Sequence, residues 1–247
     1  MKKRVFAALL AVALLLGLCA CGSSVVRQEE TPLLPQAAAN VPEDLPDIDI
    51  HSWEYLLCNA YNSIGWWAPE YGAIEGQGLD PRVVEPATTL MRAARAEGYS
   101  IYMAQAFRNL DWLETHFLFT FRDCERDPVL TARTFQGIGV NEHQTGLAID
   151  FTDNEKNAIN YEIFEDPEMF DSDLYAWLLE HCAEYGFVPR YPESKSYWYG
   201  VACPHAHFRY VGVEAARYMM DHDLCLEEFI SLYDPDLVYV PEHGRLD

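Results

Sequence analysis

The first twenty residues decide how much of this 247-residue chain is free to fold. Lys2-Lys3-Arg4 is followed by Val5 to Ala20, 16 apolar or small residues without a charge, and then by Cys21-Gly22-Ser23-Ser24. A cationic head, a short apolar stretch and small residues behind it read as a secretory signal. The stretch is short for a spanning helix, which needs about 20 residues. From Gly22 to about Ile50 the chain carries Pro32, Pro35, Pro42 and Pro46 and the run Ala37-Ala38-Ala39, with few aromatics. That composition suits an extended tether. Residues 51–247 remain, 197 in all, enough to bury one substantial core.

Leu18-Cys19-Ala20-Cys21 resembles the bacterial lipobox. The resemblance implies cleavage before Cys21 and attachment of lipid to its thiol. The expected organisation is a signal at 1–20, a tether at 21–50 and one domain at 51–247, held outside the cell on the bacterial membrane by lipid. The alternative reading is a plain signal peptide or an N-terminal anchor helix. Lys plus Arg is 17 against 39 for Asp plus Glu, a formal charge of −22, and losing the cationic head takes it to −25. No nucleic acid or anionic lipid is bound through a basic patch on such a chain, and a monomer is expected.

Five cysteines fall in the domain: Cys58, Cys124, Cys182, Cys203 and Cys225. They contain no CxxC pair, so a structural zinc ribbon is not expected. An odd count leaves at least one thiol unpaired, and connectivity stays open.

Periodicity predicts mixed elements. Arg82 to Glu97 has helical spacing and ends at Gly98. Ser100 to Ala106 reads as a strand, and Asn109 as the N-cap of a helix over Leu110 to Cys124. Ile138 to Phe151 reads as a turn running into a buried strand. Asp171-Ser172-Asp173 opens a helix that stops at Gly186. Tyr55 to Cys58, Tyr197 to Cys203 and Ala206 to Tyr210 read as strands, and Gly212 to His222 and Leu226 to Tyr233 as helices. Without βαβ alternation the class is α+β. Trp66-Trp67 is read as packing surface, with a groove-lining role as the alternative.

Two segments carry chemistry. Asn141 to Asp150 reads NEHQTGLAID, with His143 and Asp150 seven apart around Gly146. Pro204 to Gly212 reads PHAHFRYVG, with His205 and His207. His143, Asp150 and His207 would give a metal two imidazoles and a carboxylate, leaving a position for water. By spacing alone this is a weak signal, since a His and an Asp this close are commonly turn residues. His51, His116, His181, His222 and His243 have no partner spacing.

NEHQTGLAID resembles the S-x-H-x-x-G-x-A-x-D motif of the VanY-type D-alanyl-D-alanine carboxypeptidases, and HFRYVG resembles the segment with that family's last histidine. EGQGLDPRVVEPATTLM, AFRN, YGFVPRYPE and HFRYVGVEAARYM are similar in the same order. The resemblance implies a central, mostly antiparallel sheet flanked by helices, of the zinc DD-peptidase and Hedgehog type. It implies Zn2+ on His143, Asp150 and His207, with Arg108 binding substrate or stabilising an oxyanion. The implied partner is the peptidoglycan stem peptide, and the implied reaction is release of its C-terminal D-amino acid.

Two departures stand out. The family's E-x-W-H places its general base where this chain has Pro204, and Asn141 replaces the family's serine beside the peptide carboxylate. Losing a general base typically costs about 10²–10⁴ in rate. His205 could substitute as base, sharing a strand face with His207, or Glu142 or Glu193 could reach the water. The alternatives are a zinc- and peptidoglycan-binding lipoprotein with impaired catalysis and a cell-wall endopeptidase with the same metal site.

Overall fold

The computed structural model describes residues 42–156, 172–200 and 206–241. Cys21 and the whole of 1–41 lie outside these residues, as do Cys203, Pro204, His205 and His243.

Local sequence sets the first elements. A hairpin pairs β1 (Gly72–Ile74) with β2 (Gln77–Leu79) across Glu75-Gly76, both in the positive-φ region that a tight two-residue hairpin requires. Helix α1 (Val84–Ala96) buries Ala87, Leu90, Met91 and Ala94 on one face. Strand β3 (Tyr102–Gln105) leads to Asn109, whose side chain accepts the Trp112 N–H at 2.8 Å and starts α2 (Leu110–Asp123). Asp127 caps α3 (Pro128–Thr134) in the same way, a helix the sequence pattern did not reveal. Then come β4 (Ala148–Thr152), α4 (Asp173–His181), β5 (Phe187–Pro189), β6 (His207–Tyr210), α5 (Val213–Asp221) and α6 (Leu226–Tyr233).

Strands β3, β4, β6 and β5 form one sheet in that order, antiparallel throughout. Successive side chains on a strand point to opposite faces. Ile149 and Phe151 on β4, Phe208 on β6 and Phe187 on β5 therefore share one face. They pack with α1 and α4 through Leu90, Met91, Leu174 and Leu178. The other face carries Asp150, His207 and Arg209, all buried. A bulge between Met103 and Gln105 shifts β3 by one residue, so Met103 packs in the core while Gln105 pairs with Asp150.

A second core lies under α5 and α6. Val188, Val211, Met219, Leu226, Phe229 and Ile230 meet there, joined by Leu45, Ile48 and Ile50. The packed chain thus begins before residue 51, where a tether was expected. Tyr233 Oη donates to the Pro46 carbonyl at 2.6 Å. The segment closes short turns on itself, with the Leu45 and Ile48 N–H groups donating to the Pro42 and Pro46 carbonyls at 3.2 and 3.1 Å, and supplies apolar side chains to the core from between its prolines.

Two expected strands, Tyr55 to Cys58 and Tyr197 to Cys203, are not strands over their described residues, which for the second are 197–200. Trp53–Tyr55 is a 3-10 turn, and the carbonyls of Glu54 and Leu56 accept from Arg209 Nη2 at 2.8 and 2.9 Å rather than from a neighbouring strand. Glu193–Trp198 is also 3-10, followed by Gly200 at φ 80°. Its buried Trp198 and Tyr199 belong to the second core, so they are apolar without alternating. Cys58, Cys182 and Cys225 are buried free thiols and Cys124 is a half-buried one. Among the described residues no helix is long and apolar enough to cross a membrane.

Candidate metal centre

The loop before β4 builds the site. Asn141 Oδ1 accepts the His143 N–H at 3.1 Å and its Nδ2 donates to the Gln136 carbonyl at 2.8 Å. These bonds fix the 3-10 turn Glu142–Thr145 that presents His143. Gly146 closes the turn at φ 71°, where a Cβ would stand 2.8 Å from the Asp80 backbone nitrogen. Glycine is thus required on both conformational and steric grounds. The chain then enters β4 with Asp150 facing His207, its register partner on β6.

The three expected metal ligands come together. His143 Nε2 lies 3.1 Å from Asp150 Oδ2, and His207 Nδ1 lies 2.7 Å from Asp150 Oδ1. Two imidazoles therefore converge on both oxygens of one carboxylate, and one ligand atom from each residue falls within 4.8 Å of the others. Two histidines and a carboxylate with these separations fit a divalent ion with an N2O donor set, as zinc takes in catalytic sites.

The electrostatics are those of a buried site. Burial would raise the Asp150 carboxyl, but the adjacent His143 and His207 outweigh it and hold it well below the carboxylate range. Burial, reinforced by Arg108, lowers His143 to about 4 against the pull of Asp150. His207 moves the other way: burial lowers it, but Asp150 and Glu142 together raise it. One imidazole is thus held neutral beside one held ready to carry charge.

Glu142 is sealed. Its Oε2 faces His207 Nε2 at 2.9 Å, while its Oε1 accepts from Arg190 Nε and Arg209 Nη1, each at 2.7 Å. Burial would raise this carboxyl, and the two guanidiniums hold it low. With no exposed surface and both oxygens engaged, Glu142 is not placed to take a proton from a water in the cleft. Arg190 also forks onto Glu227 of α6 at 2.9 and 2.6 Å, and Asn59 Nδ2 donates to Glu227 at 2.7 Å. Sequence reasoning did not single out Arg190, Arg209 or Glu227. A usable signal was present, because Arg209 stands two residues after His207 and must share its face.

Arg108 is 9 % exposed, stacked over Trp112 at 4.4 Å. Its backbone N–H bonds the His143 carbonyl at 3.1 Å, which ties it to the ligand turn. Tyr191 lies beside His207, ring centroids 5.0 Å apart. His116 and His222 bond carbonyls of their own helices, and His181 faces Glu184; none joins the site. His205 and the Glu193 side chain lie outside the described set.

The Trp66-Trp67 pair is not packed. Trp66 is 71 % and Trp67 46 % exposed. Gln144, fully buried next to His143, donates to the Gly65 and Trp67 carbonyls at 2.9 and 2.5 Å and accepts from Gly139 at 2.7 Å. The loop is anchored by its backbone, and this leaves the indoles outside. Trp67, Trp53, Asp80 and Arg82 line a cavity of about 710 Å³ whose walls include none of the three candidate ligands.

Comparison with known proteins gives a consistent picture. A family model described as VanY, D-alanyl-D-alanine carboxypeptidase, matches residues 76–213. A D-alanyl-D-alanine carboxypeptidase of Enterococcus faecalis is 28 % identical over 196 residues, 74 % of this chain and 68 % of that protein. Two solved structures are similar. VanYB in complex with D-alanine-D-alanine superposes with a TM-score of 0.59 at 27 % identity, covering 72 % of this chain and 98 % of its own. A zinc-bound mutant of the D,D-pentapeptidase VanY from a VanB-type resistance cassette gives 0.58 at 26 %, covering 72 % and 99 %.

Proposed function

Because the chain belongs to the VanY D-alanyl-D-alanine carboxypeptidase family, we propose that it is a zinc-dependent carboxypeptidase removing the C-terminal D-amino acid from peptidoglycan stem peptides. The observation that carries this is the convergence of His143 and His207 on the two oxygens of Asp150, within the matched region. When bound there, zinc supplies Lewis-acid polarisation of the scissile carbonyl and of the attacking water.

The chain's own residues do the rest. Asn141 and Gly146 hold the ligand turn in shape. Arg108, stacked on Trp112 beside His143, is assigned to the substrate's negative charge, whether on its terminal carboxylate or on the carbonyl oxygen as charge develops. A guanidinium held by packing pays little reorganisation when that charge appears. Asn141 engages its Oδ1 with the His143 N–H and its Nδ2 with the Gln136 carbonyl upstream of the turn, so its part in substrate recognition is to shape the turn's edge. The proton acceptor is assigned to His205; the support is its sequence position, two residues before His207 and next to Pro204.

The lipobox-like Leu18-Cys19-Ala20-Cys21 supports placing the protein outside the cell membrane, anchored through lipid on Cys21. Incorporation of a labelled fatty acid, abolished in Cys21→Ser, checks this part separately. For the activity, the full chain is loaded with zinc in detergent and incubated with pentapeptide and tetrapeptide muropeptides. Release of D-alanine is expected. Stoichiometric zinc with no D-alanine released from either substrate overturns the reading.

A further inference from the structure

We propose that Glu142 is a positioning residue of the metal site, fixing which nitrogen of His207 meets the metal; the inference rests on the zinc reading of the triad. A neutral imidazole carries one N–H and one lone pair. Both ring nitrogens of His207 face carboxylate oxygens, Nδ1 toward Asp150 at 2.7 Å and Nε2 toward Glu142 at 2.9 Å. A ligating nitrogen must offer its lone pair. The Nδ1 side holds the other metal ligands, so the proton belongs on Nε2, where Glu142 Oε2 accepts it.

Glu142 can do this because it is itself immobilised. Its other oxygen takes Arg190 Nε and Arg209 Nη1, and Arg190 forks onto Glu227. Two carboxylates thus face two guanidiniums with all four side chains shielded from water. The cluster is neutral in sum, so the anion on Glu142 persists without solvent. The path from the metal ligand to α6 is continuous: His207, Glu142, Arg190, Glu227. A hydrogen bond to the far nitrogen of a ligating histidine fixes ring orientation and makes it a better donor, and its loss typically weakens metal binding about 10–100-fold.

The test has two arms. In the first, the wild-type full chain carries 15N-labelled histidine and is loaded with zinc. The expected spectrum shows His207 protonated at Nε2 and metal-bound at Nδ1; a proton at Nδ1 overturns the inference. In the second, Glu142→Gln and Glu227→Gln are compared by chelator competition for zinc, with thermal melts alongside. Both variants disturb the buried cluster and lower the melting temperature. Only Glu142→Gln is expected to weaken zinc binding, by about 10–100-fold. Equal weakening in both, or wild-type affinity in folded Glu142→Gln, assigns Glu142 a merely structural part and overturns the proposal. If Glu142→Gln does not fold, the wild-type spectrum decides. Neither arm measures peptide cleavage. Zinc bound with the expected proton position but no D-alanine released sinks the carboxypeptidase reading and leaves this one standing.

Discussion

The two faces of the four-stranded sheet are equally buried and chemically opposite. One holds Ile149, Phe151, Phe187 and Phe208 against α1 and α4. The other holds Asp150, His207 and Arg209 against Glu142 and Arg190. Residues on the two faces alternate along the same strands, so neighbours such as His207 and Phe208 serve unrelated ends. The apolar face is non-directional: it gains free energy by area, roughly 25 cal/mol per Å², and tolerates swaps that conserve volume. The ionic face is directional: each charge is tolerable only because its partners are in place, and removing one buried partner costs about 3–5 kcal/mol.

The contrast can be broken most forcefully at His207. His207→Ala is expected to abolish stoichiometric zinc and to cut D-alanine release roughly a thousandfold or more, since Lewis-acid stabilisation is worth several kcal/mol. Activity with wild-type zinc content in this variant would remove His207 from the site. One residue on, Phe208→Ala should cost about 3–5 kcal/mol in denaturant unfolding, while zinc affinity of the folded fraction stays at the wild-type value. A large loss of zinc affinity there would show that the faces are not independent.

Arg108→Ala sharpens the ionic side by separating substrate from metal. Zinc content is expected to hold while kcat/KM falls about a hundredfold, the effect of losing one charge-stabilising donor; zinc content falling in step would make Arg108 a structural support. The smallest effect is a pH slope. In the metal-free protein burial holds His143 at about 4 against an ordinary 6.5. The unfolded chain takes the proton first, so the contribution of His143 is full above 6.5 and is lost as the pH falls toward 4. Between these values metal-free wild type should lose stability more steeply on acidification than metal-free His143→Leu. Parallel curves would deny the shift.

How much of this was legible depends on how local each signal is. Asn109 as a cap and Leu110 to Asp123 behind it obey short-range rules, and the structure follows them. His143, Asp150 and His207 were readable as a set only through similarity to a known motif. Their spacing along the chain says little, because what joins them is pairing between β4 and β6. Tyr55 to Cys58 misled because the Leu56 carbonyl, like that of Glu54 just before the segment, is satisfied by Arg209, more than 150 positions away. Trp66-Trp67 misled in the opposite sense: apolar residues usually pack, but Gln144 holds that loop by its backbone and leaves the rings outside. Arg190 and Glu227 were invisible because a charged residue in sequence gives no sign that its partner will be another buried charge.

The register of Asp150 against His207 has a further consequence, in the entropy of the chain. The two residues lie 57 positions apart in sequence and directly opposite on adjacent strands. An ion shared between them acts as a crosslink that closes that loop, and the free energy of binding it is also free energy of folding. Closure entropy grows only with the logarithm of loop length, about 0.6 kcal/mol for each doubling. Added length in the connections between β4 and β6, outside the packed α4 and the paired β5, therefore carries a small thermodynamic cost, so long as the one pair of strands that carries both ligands keeps its alignment.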